Sequence, residues 1–388
     1  MIDAASWIVV APEVVLLAVT CAIILADLWV TDARRTVTYG FTQASLLLMA
    51  AWQAWMAMAL SQPDAEKAMM GFGGMVIMDA FGCWLKCLAS LIVFATLAYA
   101  RPYSAERDML KRGGELFTLM LFGLLGVDIM VSGNHLLVIY LGLELVSLAS
   151  FALVALRRGH ALSVEAGMKY FILGSLASGF LLYGLSMLYG ATGTMYLPEV
   201  LQLVLADVAK FELLMLALVF IVAGLAFKLG AAPFHMWVPD VYHGAPTGST
   251  LFVATAPKLG AFAVLIRLLV GGLLGQAQHW QMMLVVLGIC SLLIGNLAAI
   301  MQSNIKRMLA YSTIAQNGFM LVVERKGEQK QKQRGFQQPF ERPQNLGHGL
   351  KTGRAGKRGG ILKSCSEPDR GRKKRRRKAR AHGCRAIC

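Results

Sequence analysis

The sequence predicts an all-α, polytopic membrane protein, and three observations carry that prediction. The 388 residues are 56% hydrophobic and 15% charged, with a mean hydropathy of +0.57, too apolar for a chain with a watery surface. Ten segments reach, or come close to, the roughly 20 predominantly apolar residues that a bilayer-spanning helix needs. Their apolar runs are continuous rather than alternating, which argues against a strand barrel. Lys and Arg, finally, gather on alternate connections, as they do when one side of each faces the cytoplasm.

The first span, residues 7–30, is long, carries Glu13 and Asp27, and lacks a basic leader and a small-residue cleavage site. It is expected to be a retained helix rather than a cleaved signal. A second span covers 37–60 and a third 76–99. On the third, Cys83 and Cys87 sit one turn apart without His or acidic company, which reads as apolar packing rather than metal binding; neither disulfides nor zinc are inferred. Asp79 and Lys86, seven apart, share a face and are expected to pair. The fourth and fifth spans are 116–132 and 135–156, the sixth 166–190, the seventh 213–230, the eighth 249–270, the ninth 280–302 and the tenth 308–323.

Charges inside these spans hold most of the functional information. A charged side chain at the bilayer centre costs about 2.5–3.5 kcal/mol on insertion scales, so such groups face the bundle interior, pair, and mark ion or proton paths. Glu144 lies nine residues after His135, about 13 Å into a core about 30 Å thick. That is close to the midplane, and a partner such as Lys228 would satisfy it. Lys228 ends the first half of the seventh span, and Lys258 follows Pro257 in the eighth. Lys169 is one turn into the sixth expected span; snorkelling to the interface and proton carriage are equally open to it.

The stretch LAFKLGAAPFHMWVPDVYHGAP, 225–246, interrupts the seventh span. Pro233 removes an N–H and blocks continuation of the helix, freeing carbonyls that protein or water must satisfy, so a wet cavity is expected at the break. The carbonyl end of a broken helix is its negative pole and favours a cation; burial opposes one. Lys228 is placed between these two effects. His235 and His243 could pass protons or simply hydrogen-bond in the loop, and Asp240 is expected to cap or pair locally.

Sidedness follows from the connections. Alternate ones carry Arg34 and Arg35; then Arg101, Arg107, Lys111 and Arg112; then Arg157 and Arg158; and, past a connection holding only histidines, Lys306 and Arg307. The connections between offer only Lys67 and Lys210, with Arg267 at a helix end. The first set is therefore placed inside and the N-terminus outside. Residues 1–324 hold 17 Lys and Arg against 18 Asp and Glu, whereas 325–388 hold 21 against 4. Ten spans would deliver that basic segment to the outside, against the rule that sorts the other connections. The run GRKKRRRKARAHG at 371–383 has three readings: an arm for nucleic acid or anionic lipid, a disordered tail, or the product of a reading-frame shift near codon 323. The failed sidedness favours the last. A membrane domain at 1–323 and a disordered, non-native basic tail at 324–388 are expected, with no nucleic-acid partner for the native part.

The stretches YLGLELVSLASFALVALRR, AGMKYFILGSLASGFLLYGLSMLYGATGT, AFKLGAAPFHMWVPDVYHGAPTGSTLFVATAPKLGAFA and NIKRMLAYSTIAQNGFMLV resemble the subunit N family of bacterial NADH-quinone oxidoreductase, respiratory complex I. These are antiporter-like, proton-pumping membrane subunits. The resemblance covers roughly residues 7–323 and implies an antiporter-like bundle with a discontinuous seventh helix. It implies proton-transfer roles for Glu144 on the fifth helix, Lys169 on the sixth, Lys228 at the broken seventh and Lys258 on the eighth. It also implies other complex I membrane subunits as partners, a bacterial inner-membrane location, and NADH, FMN, iron–sulfur clusters and quinone held by other subunits. The sequence itself shows no glycine-rich dinucleotide fingerprint and no cluster-binding cysteine spacing. Family members have about fourteen helices in two inverted five-helix repeats; here the first repeat, 116–270, is complete and the second stops after two helices. A stand-alone cation/proton antiporter would use the same lysines, and a membrane-tethered binding protein would work through the basic arm.

Overall fold

A computed structural model describes residues 4–335, apart from 31, 33, 34, 63–67, 108, 111 and 112. Arg34, Lys67, Lys111, Arg112 and the basic segment from 336 onward lie outside the described residues. The elements run α1 (Ala4–Asp27), α2 (Thr36–Leu60), β1 (Ala68–Gly71), β2 (Val76–Asp79), α3 (Ala80–Glu106), α4 (Glu115–Ser132), α5 (Leu136–Val154) and α6 (Ala161–Thr192). They continue with α7 (Leu197–Leu205), α8 (Phe211–Leu229), α9 (Trp237–Gly244), α10 (Thr247–Leu269), α11 (Ala277–Ile300) and α12 (Ile305–Gly335). Among the described residues, nine helices are long and apolar enough to cross a membrane. The all-α polytopic architecture is therefore the one observed.

Several boundaries differ from the expected ones. The third span is expected at 76–99, but its first residues form β2, antiparallel to β1 with Ala68 opposite Asp79. The turn between the strands has φ of 53°, 66° and 90° at Phe72, Gly73 and Gly74, a reversal that apolar composition alone conceals. Asp79 then caps α3, its carboxylate accepting from the Gly82 N–H at 3.1 Å. The expected tenth span, 308–323, is not among the nine: its apolar run falls short of the ~18–20 residues of a span. Nor does the helix stop at Val323, since α12 continues to Gly335; the Glu, Lys, Gln and Arg that follow are polar but good helix formers.

Helix α10 is the central post, packing against α3, α4, α5 and α8. The α4–α5 and α6–α8 pairs approach closely because glycines face each other's backbone. A Cβ on Gly142 would lie 2.7 Å from the Met130 nitrogen and 2.9 Å from the Gly126 oxygen, and one on Gly184 would lie 2.8 Å from the Ile221 nitrogen. In lipid, where burial alone does not drive helices together, such small-residue seams supply the dispersion contacts that do. Around α10 the core is filled by side chains such as Phe117, Met120, Leu124 and Phe252.

Candidate functional site

The interruption of the seventh span is made before its proline. Helix α8 ends at Leu229, and Gly230 takes the left-handed conformation, φ 74°, that closes helices at least cost. The Gly230 and Ala231 N–H groups turn back to the Phe227 and Ala226 carbonyls. Pro233 follows within an irregular segment, and α9 resumes the path at Trp237.

The freed carbonyls are satisfied by side chains. Trp237 Nε1 donates to the Phe227 oxygen at 3.0 Å, and Asn317 Nδ2, on α12, donates to the Leu229 oxygen. Ser291 Oγ, on α11, accepts from the Ala232 N–H at 2.8 Å. The cavity beside the break, about 170 Å³, is lined by Leu173, Leu176, Phe180, Phe227, Pro233 and Trp237 among others. At the break, then, Trp237 and Asn317 supply protein donors to two of the freed carbonyls, and the cavity beside it is lined mainly by apolar side chains.

Lys228 sits one residue before the end of α8, and its Nζ donates to Ser147 Oγ on α5 at 2.7 Å and to Ser178 Oγ on α6 at 2.9 Å. Ser147 lies three residues after Glu144, one turn along the same face. Glu144 Oε1 is buried without a hydrogen-bond partner. The direct Glu144–Lys228 pair expected from sequence is not an ion pair among the described residues. Two serine hydroxyls, each able to accept from one side and donate to another, take the ammonium instead, and the carboxylate stays close enough to bias it electrostatically.

Lys258 lies midway along α10, 7% exposed. Its Nζ is buried without a partner, 5.6 Å from the centre of the Tyr242 ring; the Tyr242 hydroxyl is likewise buried and unpartnered. The structure therefore brings Glu144, Lys228 and Lys258 into one bundle interior, on α5, α8 and α10. It does not bring Lys169 there. That side chain is 46% exposed and pairs with Glu165 at 2.8 Å and Asp240 at 3.2 Å. Asp240 also holds Arg307 at 2.7 Å, so it pairs locally as expected, tying α9 to α6 and α12. His243 contacts Asn304 at 3.3 Å, and His235 Nδ1 is buried without a partner.

A second buried polar network was not read from sequence. Lys86 donates to Glu13 of α1 at 2.5 Å, and Ser132 donates to the same carboxylate oxygen at 2.7 Å. Asp128, fully buried, accepts from Gln53 at 3.2 Å. The expected Asp79–Lys86 pair is not formed: Asp79 caps the helix from outside it and binds Arg267 at 2.7 Å, while Lys86 points inward to α1. The signal for Asp128 was present, a carboxylate within the apolar run LLGVDIMV.

Comparisons with known proteins agree with this fold. The NADH-quinone oxidoreductase subunit N of Polaromonas naphthalenivorans is 57% identical over 322 residues, covering 83% of this chain and 63% of that protein. That of Herminiimonas arsenicoxydans is 52% identical over 315 residues, 81% of this chain and 63% of the relative. The chain thus spans less than two thirds of the length of these curated relatives. Among solved structures, a chain of respiratory complex I from Thermus thermophilus superposes with a TM-score of 0.63 at 33% identity, over 80% of this chain and 63% of that one. A chain of an archaeal membrane-bound sulfane sulfur reductase shares the fold, with a TM-score of 0.65 at 22% identity over 82% of this chain and 64% of that one. The family model described as NADH:quinone oxidoreductase/Mrp antiporter, TM, matches residues 133–331, from the start of α5 almost to the end of α12. With more than half its length matched, the chain belongs to the NADH:quinone oxidoreductase/Mrp antiporter membrane family.

Proposed function

We propose that this chain is a proton-translocating membrane subunit of an NADH-quinone oxidoreductase, passing protons among Glu144, Lys228 and Lys258 in response to quinone reduction elsewhere in the complex. The observation that carries this reading is Lys258 Nζ, buried mid-helix with no hydrogen-bond partner. An ammonium without a counter-ion is costly to bury, and a change in nearby charge decides whether it keeps its proton. Lys228, two hydroxyls and a neighbouring carboxylate supply such a change. An ionised Glu144 favours a protonated Lys228; neutralising or withdrawing that charge releases the proton inward, with Ser178 as a hydroxyl relay and Lys258 as the next acceptor, while Ser147, whose hydroxyl donates to the Leu143 oxygen, holds the Lys228 ammonium in place. Lys169, held at the rim by Glu165 and Asp240, acts in this reading where protons enter from the side.

Residues 1–323 form the antiporter-like bundle in this reading, and other complex I membrane subunits are its partners. NADH, FMN, iron–sulfur clusters and quinone are bound by those and further subunits. The location is the bacterial inner membrane with the N-terminus periplasmic, supported by Arg35, Arg107, Arg157, Arg158, Lys306 and Arg307 falling on one set of alternate connections.

A stand-alone cation/proton antiporter is the second reading, because the matching family model spans both kinds of protein. The test is Glu144→Ala and Lys228→Ala, each introduced into a full-length version within the reconstituted complex. Redox-driven proton pumping is expected to fall roughly tenfold or more in each, at the scale of a lost proton-transfer group. Normal pumping in both removes the proton assignment, and sodium-driven proton flux without redox input assigns the chain to the antiporters.

A further inference from the structure

The positive connections of this chain meet at one place. A cavity of about 400 Å³ opens between the C-terminal end of α3, the α5–α6 connection and the starts of α6, α10 and α12, lined by Arg107, Arg157, His160, His243 and Lys306 with no carboxylate among its lining residues. Three helices begin there: α6 after His160, α10 after Pro246, and α12 at Ile305. Each sets the positive end of its dipole beside the cavity; at α12 the Lys306 and Arg307 N–H groups are already capped by Asn304 Oδ1, at 3.0 and 3.4 Å. Two negative poles also reach the cavity, and each is covered by a cation: the end of α3 by Arg107, stacked 3.8 Å over the Tyr103 ring, and the end of α9 by Lys306, which donates to the Ala245 oxygen.

Positive charge is crowded here. Lys306 Nζ donates to the Ala245 oxygen at 3.2 Å, which fixes the ammonium at the cavity mouth. Burial holds the Lys306 pKa below the ordinary lysine value; the Tyr103 side chain opposes this and Arg107 adds to it. None of Arg107, Arg157 and Lys306 has an acidic partner among the described residues. An anion seated among them would relieve that repulsion.

The rim decides which anion fits. Leu162 on α6 and Ile305 on α12 line the same cavity and are 50% and 68% exposed, and Met308 and Leu309 carry the apolar strip on along α12. A basic pocket at the ends of membrane helices, continuous with an apolar strip running along them, has the shape of a phospholipid, with the phosphate among the cations and acyl chains on the strip. A free phosphate would make no use of the strip. We propose that this cavity binds the phosphate diester of an anionic phospholipid, held by Arg107, Arg157, Lys306 and the N-termini of α6 and α10. Bound there, the headgroup clamps the start of α12 to α3 and to the α5–α6 connection.

The test uses the full chain in neutral detergent, titrated with short-chain phosphatidylglycerol at physiological ionic strength and read by thermal unfolding. The parent protein is expected to show a saturable rise in Tm. Arg157→Gln combined with Lys306→Gln should weaken the apparent affinity roughly tenfold or more, the scale of lost charge-assisted hydrogen bonds, while Lys306→Arg keeps it. Arg158→Gln should bind as the parent does, because Arg158 pairs with Glu115 at 3.2 Å and does not line the cavity. All four proteins carry the same basic C-terminal segment, so differences between them report the cavity. An equal response from all four overturns the proposal, as does inorganic phosphate protecting as well as the lipid at equal concentration. Should the double variant fail to fold, Arg157→Gln alone carries the same comparison with one altered side chain.

Discussion

Lys86 and Lys258 are both buried lysines, and their neighbours set them opposite tasks. Lys86 has Glu13 against it, so Lys86→Met should strand a carboxylate in the core and destabilise the bundle by about 3–5 kcal/mol. Lys258 has no hydrogen-bond partner to strand, so Lys258→Met should raise stability by about 1 kcal/mol or more while impairing proton transfer. Thermal unfolding of the two variants in detergent checks the pair; a Lys258→Met protein less stable than its parent would mean that the ammonium is held by a partner. The sequence made Glu144, Lys228 and Lys258 legible because a charge in an apolar run is conspicuous at any depth. It did not reveal their partners. Ser147 and Ser178 reach Lys228 from 81 and 50 residues away in sequence, and Glu13 reaches Lys86 from 73; such pairings are tertiary facts that no local spacing encodes. Lys169, one turn into its expected span, was open in sequence to snorkelling or to proton carriage, and packing places it at the rim beside Asp240.

At the scale of elements, the broken helix is stabilised by what caps it. Asn317 spans from α12 to the Leu229 carbonyl, so Asn317→Leu should leave that carbonyl buried and unsatisfied at a cost of about 1–3 kcal/mol. The α4–α5 seam makes a second prediction: Gly142→Leu forces a side chain into backbone and should cost about 1–3 kcal/mol or more. Both are read as shifts in thermal unfolding, and unchanged values would deny the contacts named. Span positions were legible within a few residues because continuous apolar runs mark them. The β1–β2 hairpin, the short helices α7 and α9, and the extension of α12 were not. Hydropathy reports which residues tolerate lipid, and a strand, a membrane-embedded turn of helix and a polar helix beyond a span all fall outside that question.

For the whole molecule, the alternation of charge predicts a sidedness that labelling can check. Cysteines placed at Arg158 and at Lys210 should fall on opposite faces, with a membrane-impermeant thiol reagent added outside intact spheroplasts modifying Lys210→Cys and sparing Arg158→Cys; the reverse pattern inverts the bundle. The general architecture was legible from composition, and the row of ionisable groups from their positions. What composition could not show is that three of the four candidate groups share one interior formed around α10, since that depends on how α5, α8 and α10 pack. The most direct measurement is redox-driven proton pumping by vesicles containing the assembled complex with Lys258→Met in this subunit, at matched assembly. A fall of roughly tenfold or more in the rate of acidification is the predicted result, and pumping equal to the parent's would show that the unpartnered lysine at the centre of α10 carries no protons.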